Sequence, residues 1–182
     1  MVDVSDKRST KRTATATGRI YIPRTAYDLV ITTHSTKDLQ HSIVSQEDPG
    51  MVKARRKGDT LTVAQLAAIM GAKRTSDLVP LCHPLSITSV QVTLTPEEGF
   101  RDSRGPSILC QATVCTEGKT GVEMEALTAV SVGLLTVWDM LKAVAGKDME
   151  IGEIFVSHKS GGRSGDFERK VAPRKVCQGP HQ

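Results

Sequence analysis

The chain has 182 residues, of which 38% are hydrophobic and 24% charged, and these are ordinary values for one globular domain. Its net charge of +4 suits an anionic ligand such as a nucleotide but is too small to require a nucleic acid partner. Aromatic residues make up only 3%, which disfavours a surface on which bases stack. The four cysteines form no C-x-x-C pair, which disfavours a zinc site and favours a reducing compartment.

Apolar residues alternate in four segments of the chain and recur at helical spacing in three. In chain order, these patterns predict a strand at 13–22, a helix at 25–33, a helix at 60–73, strands at 86–95 and 107–116, a helix at 122–145 and a strand at 150–158. Residues 34–56 are polar and contain Pro49-Gly50 as a turn signal, so they predict a long surface loop. Asp59 or Thr60 is the expected cap of the second helix, and Gly146 is the expected stop of the third.

This order of elements predicts an α+β fold, a ferredoxin-like sandwich with an antiparallel sheet and helices packed on one face. We expect a single domain at 1–168 and a disordered basic tail at 169–182. The longest uncharged run, Ala126–Trp138, has 13 residues, whereas a membrane span needs roughly 20, so a buried helix is expected. The charged N-terminal segment lacks the apolar core of a signal peptide, and we expect the protein not to be secreted.

The third predicted helix carries acids at its start and an acid–amine pair near its end. Glu123 and Glu125 either complement the helix dipole or, beside Lys119, accept N–H groups from a guanine-like base. Asp139 and Lys142 share a helical face and form either an exposed salt bridge or a buried acid–base pair. The uncharged run that Asp139 ends favours burial. Asp139 lies 14 residues beyond Glu125, roughly 21 Å along a helix, so we expect each site to combine the two residues from different chains.

Loops and helix ends carry further candidates. His83 follows Cys82 between two prolines, and a loop stiffened in this way favours ligand contact, although a lone histidine is more often structural. The segment 159–165 has three glycines and two cations and is either a phosphate-binding loop or a flexible hinge. Lys57 precedes a helix, where its charge opposes the dipole, and this favours a phosphate role. Lys73 ends a helix and either complements the dipole or contacts a ligand.

Together the motifs resemble the MoaC family of molybdenum cofactor biosynthesis proteins over roughly residues 1–168. The resemblance is carried by Met1–Ser5, Lys57–Asp59, Ala72–Leu78, Pro80–Leu85, Lys119–Thr128, Asp139-Met140, Lys142-Ala143 and Lys159–Gly162. It implies a lyase that converts 3′,8-cyclo-7,8-dihydro-GTP to cyclic pyranopterin monophosphate by acid/base catalysis, with release of pyrophosphate. It also implies a homohexamer built as a trimer of dimers, sites at subunit interfaces, and a radical SAM GTP cyclase as the functional partner.

The resemblance further implies roles for single residues. The implied catalytic residues are Asp139, Lys142 and Lys57, and the implied substrate-binding residues are Leu81, Cys82, His83, Glu123, Met124, Glu125, Arg12 and Lys159. Lys73 joins the expected substrate-binding residues because of its place at a helix end. We expect no protein-bound metal and no organic cofactor, while Mg²⁺ is compatible with the release of pyrophosphate. The expected location is the cytoplasm if the protein is bacterial and the mitochondrion if it is eukaryotic.

Two rival functions stay open on the sequence. A nucleic-acid-binding module with a ferredoxin-like fold would suit the basic chain, but its strands lack the aromatic residues on which RNA bases stack. A non-catalytic scaffold in a cofactor-synthesis complex would have no use for the pair Asp139 and Lys142. Membrane and nucleic acid partners are therefore not expected.

Overall fold

The computed structural model describes residues 1–34, 48–99, 104–162 and 165–170. In chain order, the elements are β1 (Thr10–Tyr21), α1 (Arg24–His34), α2 (Pro49–Arg56), α3 (Thr60–Lys73), α4 (Thr75–Leu78), β2 (Ile87–Glu97), β3 (Ser107–Gly118), α5 (Glu123–Ala145), β4 (Glu150–Ser160) and β5 (Phe167–Glu168). Each strand and helix that the sequence predicts is present close to its expected bounds. The short elements α4 and β5 were not predicted, and most of the predicted tail, 171–182, lies outside the described residues.

The prediction of a loop over 34–56 is wrong from Pro49 onward, where α2 begins. The Asp48 carboxylate caps this helix by accepting a hydrogen bond of 2.7 Å from the Gly50 N–H. Proline suits the first helical position because its missing N–H would have no partner there. The Pro-Gly pair is therefore a helix start and not a turn, while residues 35–47 lie outside the described part of the chain.

The strands form one antiparallel sheet in the order β2-β3-β1-β4-β5. Its first four strands have the order of a ferredoxin-like sheet, so the predicted α+β fold is confirmed. Because β1 lies between β3 and β4, Arg12 pairs with Thr116 on one side, and its neighbour Thr13 pairs with Ser160 on the other. The start of β1 and the ends of β3 and β4 therefore meet at one end of the sheet.

The core lies between the sheet and the pair of helices α3 and α5. Alternate β3 residues from Ile108 to Val114 are fully buried on the helical side. Helix α5 is long and apolar enough to cross a membrane by length and composition. However, its Val130, Leu134 and Leu141 side chains have no solvent exposure. This burial is that of the central helix of a globular core, as the sequence predicts.

Candidate active site

A cavity of about 670 Å³ opens where the start of β1 and the ends of β3 and β4 meet. Its size is in the range of small-molecule sites. The charged side chains that line it are the cations Lys7, Arg8, Arg12, Lys119 and Lys159 and the carboxylates Asp6 and Glu123. Five cations against two carboxylates favour an anionic ligand.

Hydrogen bonds and an ion pair position three of the five cations of this cavity. The Arg12 Nε donates a hydrogen bond of 2.9 Å to the Gly118 carbonyl at the end of β3. Lys119 Nζ donates one of 2.8 Å to the Ser5 carbonyl and so ties the N-terminal segment to the cavity. Lys159 Nζ lies 3.2 Å from a Glu123 carboxylate oxygen. The structure thus brings Arg12, Glu123 and Lys159, which the sequence names as substrate contacts, into one cavity.

A second group of ionisable side chains lies near the far end of α5, around Asp139. Lys142 Nζ lies 2.6 Å from one Asp139 carboxylate oxygen, and Lys57 Nζ lies 3.0 Å from the other. Lys57 also donates to the Asp139 backbone carbonyl. These hydrogen bonds, that of Lys142 first and that of Lys57 second, hold the pKa of Asp139 below its usual range. The three catalytic residues that the resemblance implies are therefore in direct contact, with the carboxylate between two ammonium groups.

Of the two alternatives for Asp139 and Lys142, the buried acid–base pair that the uncharged run favours is wrong, because the Asp139 side chain is 57% exposed, and the exposed salt bridge is present. The core-facing side of α5 carries Val137 and Leu141 at this level, and Asp139 lies between them on the side turned to solvent. The buried apolar residues before Asp139 pack against the sheet and α3, and the face of α5 that carries Asp139 takes no part in this packing. In one chain, the Asp139 group is therefore open to solvent.

A third group surrounds Glu125 in the first turn of α5. Glu125 is only 4% exposed, and its burial, together with the nearby charge of Glu123, raises its pKa. A small crevice joins it to His83 and Lys73. The pKa of the Cys82 thiol is also raised, first by the burial of the thiol and second by the nearby charge of Glu125. Dipole complementation alone does not require a buried carboxylate, so the position of Glu125 favours a ligand contact.

The two exposed apolar candidates differ from these groups. Leu81 and Met124 are 72% and 40% exposed, and neither lines the cavity or the crevice. Exposed large apolar side chains beside a polar site are free to contact a ligand or another chain. Their proposed role in substrate binding stays a prediction.

Helix α5 keeps Glu125 and Asp139 apart. Both residues lie on this one helix, Glu123–Ala145, and 14 residues at about 1.5 Å each separate them by roughly 21 Å. A sphere of the cavity volume is only about 11 Å across. One chain therefore keeps the Asp139 group apart from the two groups at the start of α5, the cavity with Glu123 and the Glu125 group.

Sequence reasoning missed Asp6, Lys7 and Arg8, which line the cavity from the N-terminal segment. The signal was the run of charges before β1, but nothing local indicates that this run folds back toward Lys119. For part of the predicted glycine loop, residues 163–164, the structure gives no description. Within the described ranges, no group of three or more His, Cys, Asp or Glu residues could hold a metal ion by itself.

Comparison with known proteins gives one consistent result. The MoaC family model matches residues 1–162. Cyclic pyranopterin monophosphate synthases from Bacillus thuringiensis (strain Al Hakam), Bacillus cereus (strain AH820) and Bacillus anthracis (strain CDC 684 / NRRL 3495) are each 45% identical to this chain over 170 residues. Each alignment covers 93% of this chain and 91% of the relative.

Proposed function

This chain belongs to the MoaC family, and we propose that it acts as a cyclic pyranopterin monophosphate synthase, a lyase of an early step in molybdenum cofactor biosynthesis. Its substrate is 3′,8-cyclo-7,8-dihydro-GTP, supplied by a radical SAM GTP cyclase, and its products are cyclic pyranopterin monophosphate and pyrophosphate. The bacterial origin of the relatives supports a cytoplasmic location.

The observation that carries this proposal is the cavity at the end of the sheet. A nucleoside triphosphate carries several negative charges close together, and the cavity gathers five cations from the N-terminal segment, β1, β4 and the loop before α5. The cations also stabilise the charge that develops on the departing pyrophosphate. We therefore assign the cavity to the triphosphate end of the substrate.

Asp139 and its two lysines supply the acid/base chemistry in this proposal. The reaction opens a purine-derived ring, rebuilds a pterin and closes a cyclic phosphate, and each of these steps is a proton transfer or a phosphoryl displacement. The Asp139 carboxylate, whose pKa the lysines lower, is ionised at neutral pH and accepts a proton from the substrate. Lys142 and Lys57, each in contact with it, donate protons to leaving groups.

The Glu125 group supplies recognition of the base. A carboxylate accepts two N–H donors, such as those on the edge of a guanine-derived ring. His83 borders the same crevice, and Glu123 links this region to the phosphate cavity through Lys159. Burial raises the pKa of Glu125 by disfavouring its charged form, and N–H groups donated by the ligand would stabilise that form.

The separation along α5 supports a site made of two chains. We place the phosphate cavity and the Glu125 group of one chain opposite the Asp139 group of a neighbouring chain, within a homohexamer arranged as a trimer of dimers. The exposure of the Asp139 side chain in one chain agrees with this arrangement, since a neighbouring chain would cover it.

No organic cofactor is needed for these steps. Mg²⁺ takes one or two carboxylates together with substrate phosphates, and Asp6 and Glu123 are the cavity residues that would hold it in that way. Such an ion would stabilise the charge of the leaving pyrophosphate. A titration of turnover with Mg²⁺ and EDTA tests this part of the proposal.

The test of the function is turnover of 3′,8-cyclo-7,8-dihydro-GTP, prepared fresh and without oxygen. Pyrophosphate and the pterin product should appear in equal amounts. A well-folded oligomer that forms neither product would contradict the synthase and favour a scaffold. A salt-dependent nanomolar affinity for RNA in such an inactive protein would instead favour the nucleic-acid-binding module.

A further inference from the structure

The Arg12 side chain lies between the ends of two strands that flank β1. On one side its Nε donates a hydrogen bond of 2.9 Å to the Gly118 carbonyl. On the other side lies Gly162, where an added Cβ would be 2.1 Å from Arg12 Nη1 and 3.0 Å from Cζ. The guanidinium therefore occupies the space that a side chain at position 162 would fill.

The two glycines that follow β4 face different parts of β1. Gly161 and Gly162 have φ values of +87° and +85°, which disfavour other residues. A Cβ at Gly161 would lie 2.2 Å from the Lys11 carbonyl oxygen, which is backbone and cannot move easily. A Cβ at Gly162 would instead meet the tip of the flexible Arg12 side chain. Apart from the strain of the positive φ, a methyl group at position 162 thus clashes with the guanidinium and not with the backbone of β1.

We propose that Gly162 is a positioning residue for Arg12, whose guanidinium binds the phosphate end of the ligand. The hydrogen bond from its Nε to the Gly118 carbonyl is the one hydrogen bond or ion pair that the structure gives the Arg12 side chain among the described residues. The Nη donors of this cavity-lining residue are then available to phosphate oxygens in the forked geometry that lysine cannot reproduce. That the ligand is a triphosphate or pyrophosphate rests on the proposed function.

The test is isothermal titration of the assembled protein with inorganic pyrophosphate, the predicted product. The variant is Gly162→Ala, and the matched control is Gly105→Ala at the opposite end of the sheet. Gly105 has a φ of +86°, but an added Cβ there meets nothing within 4 Å, so the control carries the same backbone strain without a displaced side chain. Arg12→Ala and the Gly162→Ala/Arg12→Ala double variant complete the set.

Gly162→Ala and Arg12→Ala should each weaken pyrophosphate binding by about tenfold or more, whereas Gly105→Ala should bind as wild type. The double variant should bind no more weakly than Arg12→Ala, since Gly162 acts through Arg12. With substrate, Gly162→Ala should raise KM more than it lowers kcat.

Four results would overturn the inference: wild-type protein that does not bind pyrophosphate, full affinity in Arg12→Ala, equal affinity of Gly162→Ala and Gly105→Ala, or a further tenfold loss in the double variant. Full affinity in Arg12→Ala would overturn the inference even if Gly162→Ala does not fold. If wild type turns over no substrate but the pyrophosphate affinities differ as expected, the proposed function fails while the role of Gly162 stands.

Discussion

Two inactive variants, Asp139→Asn and Glu125→Ala, should complement each other when they are mixed in one oligomer. The reason is the separation of roughly 21 Å along α5, about twice the width of the cavity. If each site takes Glu125 from one chain and Asp139 from another, random mixing in equal amounts leaves about one quarter of the sites with both native residues. If one chain supplied both residues, no site would be restored.

A second mixture tests the same arrangement, but here a two-chain site predicts less activity than a site within one chain. Wild type mixed equally with the Glu125→Ala/Asp139→Asn double variant should keep about one quarter of wild-type activity for sites made of two chains, but about one half for sites within one chain. The assay is pyrophosphate release, with subunit exchange verified by native mass spectrometry of differently tagged chains. Failure of the first mixture together with half activity in the second would refute the two-chain site.

Three further outcomes are expected from single substitutions. Lys142→Gln should raise the pKa of Asp139 in an NMR titration of its carboxyl carbon, because the strongest hydrogen bond to the carboxylate is lost, and Lys147→Gln should not; an unchanged Asp139 pKa would contradict the assigned contact. Burial raises the pKa of Glu125, so the folded chain binds that proton more tightly than the unfolded chain, and the stability contributed by this group falls as pH rises through the interval between the two pKa values. In urea unfolding, Glu125→Gln should therefore gain stability relative to wild type as the pH rises above 4.5, the ordinary pKa of a glutamate, and a constant difference would speak against this burial. Leu134→Ala should lower the free energy of unfolding by about 2–5 kcal/mol, because Leu134 is fully buried between α5 and the sheet; a loss below about 0.5 kcal/mol would mean that α5 is not the core helix.

The elements that the sequence predicts well are those with local causes. The Asp59 carboxylate accepts a hydrogen bond of 2.9 Å from the Thr62 N–H, so the start of α3 follows from neighbouring residues alone. The alternation of apolar and polar residues that predicts β2 and β3 is likewise contained within each strand and needs no distant partner. The start of α2 was missed because Pro49-Gly50 is compatible with both a turn and a helix start, and only the Asp48 cap distinguishes the two.

The candidate site could be predicted in its residues but not in its geometry. Contact between Lys57, which directly follows α2, and Asp139 of α5 spans 82 positions of sequence, and no spacing rule reveals it. The exposure of Asp139 depends on which face of α5 meets the sheet. The cations of the cavity come together only because β1 pairs with both β3 and β4, so the contribution of Lys7 and Arg8 has no local signal.

The most direct test of the proposed function compares turnover of 3′,8-cyclo-7,8-dihydro-GTP by wild type, Asp139→Asn and Asp148→Asn. Asp148 is an exposed carboxylate beyond the end of α5 and serves as the matched control. We expect cyclic pyranopterin monophosphate and pyrophosphate from wild type and from Asp148→Asn at similar rates, and a loss of about 100-fold or more in Asp139→Asn. Wild-type protein that forms no product, or an Asp139→Asn variant as active as Asp148→Asn, would contradict a synthase that depends on this carboxylate.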